Sequence, residues 1–353
     1  MCALSASQAN KGALFTNDTN GTNEPRSAPI TSSVASEFLD EAIQLTPLTY
    51  QYHGGGSEGG ISLLRCYGIL SLIGTQTGDA QLLHRYLGLY HGLSAQIGLH
   101  NEERWPAAMP GTASVAALSL CERETRRRIF WVVYRIEVHN ACVLGHPIRT
   151  PESQTYVQYP CGVHHPLTFL FPNRNGKFEN WMAGWNYTTE LYRILEHAIV
   201  DFRSKRTMHT TVLWRTEQTT SSRSGSGSES RSTAILQQLQ KMQSNLLPQF
   251  AQAAMKSSDS GSNRSGFQVA NILCTIHLVK MVVLASENGR FVEVCQNVQD
   301  LVDSMGTVPR DYIRAFGTPV MQELLGVGFM LTSMASRDHS LSDEDHFRLK
   351  AVM

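Results

Sequence analysis

The chain has 353 residues, 30 basic and 30 acidic side chains, and a formal net charge of zero. At 42% hydrophobic and 17% charged it is long enough for one large or two ordinary domains with a full core. The zero balance excludes a chain-wide electrostatic surface for nucleic acid or membrane, leaving room only for a local basic patch.

Residues 1–34 are rich in Ser, Thr, Asn, Ala and Gly and poor in large apolar groups, a composition that predicts disorder. Residues 35–46 carry a short amphipathic helix stopped by Pro47, and the glycines of 53–60 predict a flexible loop. Ile61–Thr77 is the next predicted helix, with Leu63, Leu64, Tyr67, Leu70 and Ile73 on one face. Gly78 ends it and Asp79 caps a following helix to Ile97, whose Leu82, Leu83, Tyr86, Tyr90 and Leu93 recur at helical spacing. Gly88 and Gly92 in that helix predict close approach of a neighbour, and Gly98–Leu99 predicts a Schellman ending. The two helices form an antiparallel hairpin with a very short turn.

A loop over 106–118 leads to the stretch around which we expect the fold to be organised. Ser119 lies three residues before Glu122, a capping box, and Gly145 with Pro147 closes the other end. On a helical wheel the residues between them are apolar over more than half the circumference, so this helix belongs in a core. The wheel puts Arg128, Arg135 and His139 on a polar side, with Trp131 among the arginines in cation–π range. Arg126 and Glu137 point into the apolar side, three turns apart: either each has a partner on another helix, or each sits at the rim of the core and reaches water.

Residues 151–176 are loop-like. Glu179–Arg206 is a long helix with an apolar stripe from Leu191 to Phe202, and 216–232 is a Ser/Gly linker. A helix over 233–256 is interrupted by Pro248, and 257–266 reads as a second linker. Helices follow over 267–286, 290–304 and 318–335, and a polar tail over 337–353. The run 267–286 contains Gln268, Asn271, His277 and Lys280 and reads as a buried helix instead of a membrane span. The fold class is all-α: a single irregular multi-helix domain over 35–336, its core the 120–144 helix packed by the 61–98 hairpin and the 179–206 helix.

The stretch ERETRRRIFWVVYRIEVHNACVLGHPI resembles the signature of the fungal-specific transcription factor domain, the helical regulatory region of fungal binuclear-zinc-cluster regulators. The residues that carry the resemblance are Arg126, Arg127, Arg128, Phe130, Trp131, Tyr134, Gly145 and Pro147, with Glu137 where the family has Asp and His146 where it has Arg. GLHNEERWP, at 98–106, is similar to the family's Gly-Leu-His segment. The resemblance implies transcriptional regulation in a fungal nucleus, directed at a metabolic or secondary-metabolite gene set. It implies a structural role for the signature residues. Expected partners are other transcription regulators or a second copy, with a small-molecule effector between helices and no membrane. In the family, zinc and DNA contacts belong to a cluster of six closely spaced cysteines, which this sequence does not contain, so no cofactor and no DNA-contacting residue is assigned here.

Two readings of the resemblance follow. Either the chain is the regulatory body of a fuller zinc-cluster activator, or it works by pairing with, or inhibiting, a regulator that has its own DNA-binding module. A helical enzyme or scaffold ranks below both. His53–Gly56 matches an esterase oxyanion loop, but G-x-S-x-G is absent. His164–His165 has no third metal ligand at a suitable spacing. No phosphate-binding glycine motif is present, so we expect no catalysis. The seven cysteines are scattered, odd in number and without C-x-x-C, which predicts reduced thiols in an intracellular protein.

Overall fold

The computed structural model describes residues 32–49, 58–106, 118–161, 181–207, 231–251, 260–286 and 291–337. Among them lie helices α1 (Ser32–Leu45), α2 (Glu58–Thr77), α3 (Ala80–Ile97), α4 (Leu120–Leu144) and α5 (Trp181–Thr207). These are followed by α6 (Arg231–Ser244), α7 (Ser260–Ser286), α8 (Phe291–Gly306), α9 (Arg310–Phe316) and α10 (Thr318–Arg337). The described residues contain no strand, only an isolated bridge between Asn101 and Tyr156, so the all-α expectation holds. The expected disorder is corrected at 32–34, which begin α1, and the expected tail at Arg337, which ends α10; residues 1–31, the His53–Gly56 and His164–His165 motifs, most of the 216–232 linker and residues 338–353 lie outside the described residues.

The α2–α3 hairpin follows its sequence signals closely. Gly78 adopts φ 75°, and the Asp79 carboxylate accepts from the Leu82 N–H at 2.9 Å. At the far end Gly98 takes φ 69°, donating to Ala95 while Leu99 donates to Ser94, the paired bonds of a Schellman motif. The inward residues Leu64, Tyr67, Leu83 and Tyr86 are fully buried.

The glycines divide differently from expectation. A Cβ on Gly92 would meet nothing, and one on Gly88 would make only ordinary contact with Arg149, so neither marks a close helix approach. Gly74 does, because its Cβ would lie 2.6 Å from the Leu83 backbone nitrogen and 3.0 Å from the Asp79 carbonyl oxygen. Backbone cannot swing aside as a side chain can. We expect Gly74→Ala to cost about 1–3 kcal/mol through overpacking, despite alanine's better helix propensity. Gly92→Ala should stabilise by about 0.5–1 kcal/mol. Urea denaturation of the two variants, read side by side, checks the contrast.

The centre of the core is α7, not α4. Val269, Ile272, Val279 and Met281 are fully buried, and α5, α6, α8, α9 and α10 all pack on α7. The reason lies in composition. Between Gly266 and Ser286 only Lys280 carries a permanent charge, so this helix is apolar all round and needs neighbours on every side. The segment is long and apolar enough to cross a membrane, but in this fold its faces are taken up by other helices. Helix α4 retains many charges and lies one layer out, joining the hairpin to α5 and α10.

The predicted 257–266 linker is corrected by the same packing. α7 begins at Ser260, and at Gly266 the Tyr312 ring of α9 presses so close that a Cβ would sit 2.6 Å from it. Local Ser/Gly composition argued for a loop, and tertiary packing overrides it. Likewise α2 starts at Glu58, inside the predicted glycine loop, and Ser232, at the end of the other predicted linker, is buried in α6. Pro248 splits the 233–256 helix as its missing N–H requires: α6 stops at Ser244, and a single 3-10 turn covers Pro248–Phe250.

Candidate functional site

The signature helix α4 starts on the expected capping box. Ser119 Oγ accepts from the Glu122 N–H at 3.2 Å, and Glu122 accepts from the Ser119 N–H at 2.7 Å. It ends at Gly145, φ 74°. Beyond lies a segment, 146–161, with almost no regular structure and therefore with backbone N–H groups that need partners elsewhere.

Those partners are carboxylates. Glu137 of α4 accepts from the N–H groups of Arg149 and, at 3.3 Å, Thr150. Glu196 of α5 accepts from Glu152 N–H at 3.1 Å. Glu102 accepts from Gln158 N–H at 3.0 Å, and Glu124 from Cys161 N–H at 2.9 Å. Each is a charge-assisted bond, about twice as strong as a neutral one. Side-chain donors hold the carbonyls: Trp131 Nε1 donates to Gln158 at 2.9 Å, Asn186 to Pro160 at 2.9 Å and Arg128 to Cys161 at 3.2 Å.

The arginine run supplies the counter-charges. Arg127 donates through Nε to both oxygens of Glu102, at 3.1 and 3.0 Å, and through Nη1 to Glu124 at 3.1 Å. Arg128 lies 3.7 Å from Glu124, one turn before it on the same helix. Arg126 is buried, not at the rim, with its guanidinium carbon 5.7 Å from the Trp105 ring centre. A parallel cluster lies on α5, where Arg193 donates to Glu152, to Glu190 at 2.8 Å and to the Tyr159 hydroxyl at 2.7 Å.

Glu137 is 2% exposed and sits 3.3 Å from His91 Nε2 of α3, which makes it buried with a partner on another helix. Tyr134 donates to Glu196 at 2.6 Å; burial first, then the negative Glu196, pushes that phenol far above the usual tyrosine range. Phe130 is buried, Gly145 supplies the left-handed cap, and Pro147 is exposed just beyond it.

The wheel's polar side is corrected at Trp131, Arg135 and His139, while Arg128 stays partly exposed. Trp131 is 3% exposed and meets Phe130, Tyr134 and Tyr159 instead of arginines. Arg135 lies between Trp185 and Tyr192, at 5.4 and 5.2 Å from their ring centres. His139 is buried, with Nδ1 3.2 Å from Glu323 of α10. The physical reason is that α5 and α10 cover this side, and a lone wheel cannot show a second covering layer. No role was read from sequence for Glu102, which lies in the 98–106 segment, for Glu152, the acidic residue of the loop after Ile148, or for Arg193 and Glu196; Glu196 is a charge beside Leu195 within the apolar stripe of α5.

The arrangement is a clamp that fixes an irregular segment between two helices. Among the described residues no group of His, Cys, Asp and Glu is placed to hold a metal ion. The depressions at its rim, one beside Tyr156 and Arg123 and one beside Tyr187 and Lys241, are shallow and open.

Acid should loosen the clamp. Burial alone would raise the Glu102 carboxyl, but the bonds from Arg127 and the Gln158 N–H outweigh it and hold it below the usual range. Glu152 is lowered the same way, burial being outweighed by Arg193 and His197. A lowered carboxylate contributes its full stability above the unfolded pKa of about 4.3 and loses it as pH falls through the folded value. Glu196 runs the other way, raised chiefly by burial, so its protonation relieves a cost. The net expectation is an intact near-ultraviolet dichroism signal from the Trp131–Tyr159 pair down to about pH 5 and its loss below about pH 4. In Glu102→Gln the low-pH step should be smaller.

A model described as the fungal specific transcription factor domain matches residues 12–252. Over 97 residues the chain is 28% identical to the transcriptional activator protein acu-15 of Neurospora crassa. That match covers 28% of this chain and 9% of the Neurospora protein. No solved structure matches the chain. The family match takes in α1 to α6, including the capped signature helix and every side chain of the clamp, and the chain therefore belongs to the fungal specific transcription factor domain family.

Proposed function

We propose that the chain is the helical regulatory body of a fungal transcription regulator that acts in the nucleus on a metabolic gene set. It works by contacts with other proteins, and DNA is reached through a module other than the residues described here. The observation that carries this reading is the fate of the arginine run. Arg127 and Arg128 are engaged by Glu102, Glu124 and the Cys161 carbonyl, and Arg126 is buried. Cations committed inside the fold are not free to neutralise phosphates, which is what nucleic-acid affinity requires. The clamp arranges no nucleophile with a base, which supports a regulatory role over a catalytic one. The name of the Neurospora relative, a transcriptional activator, supports activation as the direction of control.

The test is recruitment. The chain, fused to a DNA-binding module of known site, is placed at a reporter promoter in a fungal host. The expected result is a rise in transcription that is lost in the clamp variant Glu137→Ala, with nuclear fluorescence of the tagged chain. Unchanged transcription from an intact, nuclear fusion would overturn the reading.

A further inference from the structure

His146 is the first residue after the Gly145 cap and opens the clamped segment. Its ring meets the ring of His84, on α3, edge-on at 4.3 Å between centres. The other charged groups that face this contact are both basic. Arg203 of α5 donates to the His146 carbonyl at 2.8 Å and to that of Ala141 at 2.6 Å. Arg149, three residues along the segment, lies against α3 one turn beyond His84, its Nη1 3.9 Å from where a Cβ on Gly88 would stand. Among the described residues no carboxylate pairs with the His84, His146 or Arg149 side chain. Three other histidines are arranged in the opposite way. His91, His139 and His197 face Glu137, Glu323 and Glu152 at 3.3, 3.2 and 2.7 Å, so a proton strengthens each of those contacts. A proton at the His84–His146 contact instead adds a like charge beside two guanidinium groups.

We propose that the His84–His146 contact is a proton-sensitive joint: with both imidazoles neutral it seats the start of the clamped segment on α3, and in mild acid it releases residues 145–148. The electrostatics point the same way. Burial first, then His84, Arg203 and Arg149, hold the His146 imidazole below the usual histidine range, near 6.5. A base lowered in the fold makes its full contribution above the unfolded pKa and loses it as pH falls from there toward the folded value. The same proton repels Arg203, so the tether on the His146 carbonyl weakens together with the ring contact. Release stops at Arg149, whose N–H stays with Glu137, the carboxylate that a protonated His91 also holds. The loosening therefore begins below about pH 6.5, above the range in which Glu102 and Glu152 protonate, and leaves the Trp131–Tyr159 pair in place. It does not depend on the regulatory reading.

The test is hydrogen–deuterium exchange of the full chain, read on a peptide covering 142–150 at about pH 7.5 and about pH 5.5 in wild type and His84→Gln. His84 is exposed, so the variant should fold. The substitution lies outside the peptide, so intrinsic exchange chemistry cancels at each pH. The ratio of wild-type to variant exchange rate should rise at least about threefold from the higher pH to the lower, one proton contributing at most about tenfold per pH unit. Near-ultraviolet dichroism should stay constant over the same range. By NMR the His146 ring, identified by the resonance missing in His146→Gln, should titrate below the ordinary range in wild type and move upward in His84→Gln. A rate ratio that does not change with pH overturns the inference. So does a His146 ring that titrates at the same pH with and without His84.

Discussion

Trp131→Ala is expected to lower stability by about 3–5 kcal/mol, the range for removing a large buried aromatic side chain. The ring is 3% exposed and lies 5.1 Å from Phe130, 5.2 Å from Tyr134 and 4.9 Å from Tyr159, centre to centre. The first two contacts are edge-on, the arrangement aromatic quadrupoles favour. Its indole N–H is the donor that holds the Gln158 carbonyl. The substitution therefore removes packing within α4 and one tether of the clamped segment together. Trp131→Phe separates the two: it keeps most of the packing and loses the donor, and should cost about 1–2 kcal/mol. Urea denaturation of both variants decides the matter. A loss below about 1 kcal/mol for Trp131→Ala would mean that the ring does little for the fold and that its burial is incidental.

The position of Trp131 also shows where sequence reasoning stops. Local signals were legible wherever the chain solves a local problem. The Ser119 capping box, the Asp79 cap, the Gly98–Leu99 ending and the break at Pro248 each follow from unsatisfied backbone groups within a few residues. The sequence placed Arg126 and Glu137 inside the apolar stripe and left open whether they were buried or at its rim; the structure buries both. What could not be read was the second layer. His139 and Arg135 occupy the polar side of their wheel, and they are enclosed because α10 and α5 arrive from 184 and 50 or more residues downstream, as the Glu323 and Trp185 contacts show. The same holds for Ser260–Gly266, where composition favours a loop and the structure has helix, with the Tyr312 ring packed against Gly266.

The clamp gives the family signature a physical meaning. Four of its residues bear on residues 149–161: Glu137 and Trp131 bond that backbone, Arg128 bonds the Cys161 carbonyl, and Arg127 holds the carboxylates of Glu102 and Glu124 that do the same. Such a segment costs roughly 1–2 kcal/mol of backbone entropy per ordered residue and receives little from regular hydrogen bonding. Side chains from α4 and α5 must offset that cost, which is why charged residues persist on helices that a simple core would make apolar. A partner that docks on this segment would meet a surface already held in place, with less ordering cost on binding.

Glu137→Ala tests the clamp at its most buried point. The carboxylate serves the backbone N–H groups of Arg149 and Thr150 and lies 3.3 Å from His91, whose Nδ1 is in turn 3.2 Å from Thr150 Oγ1. Truncation leaves these donors facing a void at a site that water reaches poorly. The expected loss is about 2–5 kcal/mol, from leaving two backbone N–H donors unsatisfied at about 1–3 kcal/mol each. Glu137→Gln retains one acceptor oxygen and turns an amide N–H₂ toward groups that are themselves donors, so it should fall between, at about 1–3 kcal/mol. Stability alone would not separate a clamp from ordinary packing, so the second readout is local. Limited proteolysis should cut Glu137→Ala within 145–161 at denaturant concentrations where the rest of the chain is still folded. A double-mutant cycle with His91→Ala should show coupling of at least about 0.5 kcal/mol, because the two side chains share one network. Additive losses, with no new cleavage in that segment, would mean that Glu137 is held by the core without holding anything in return.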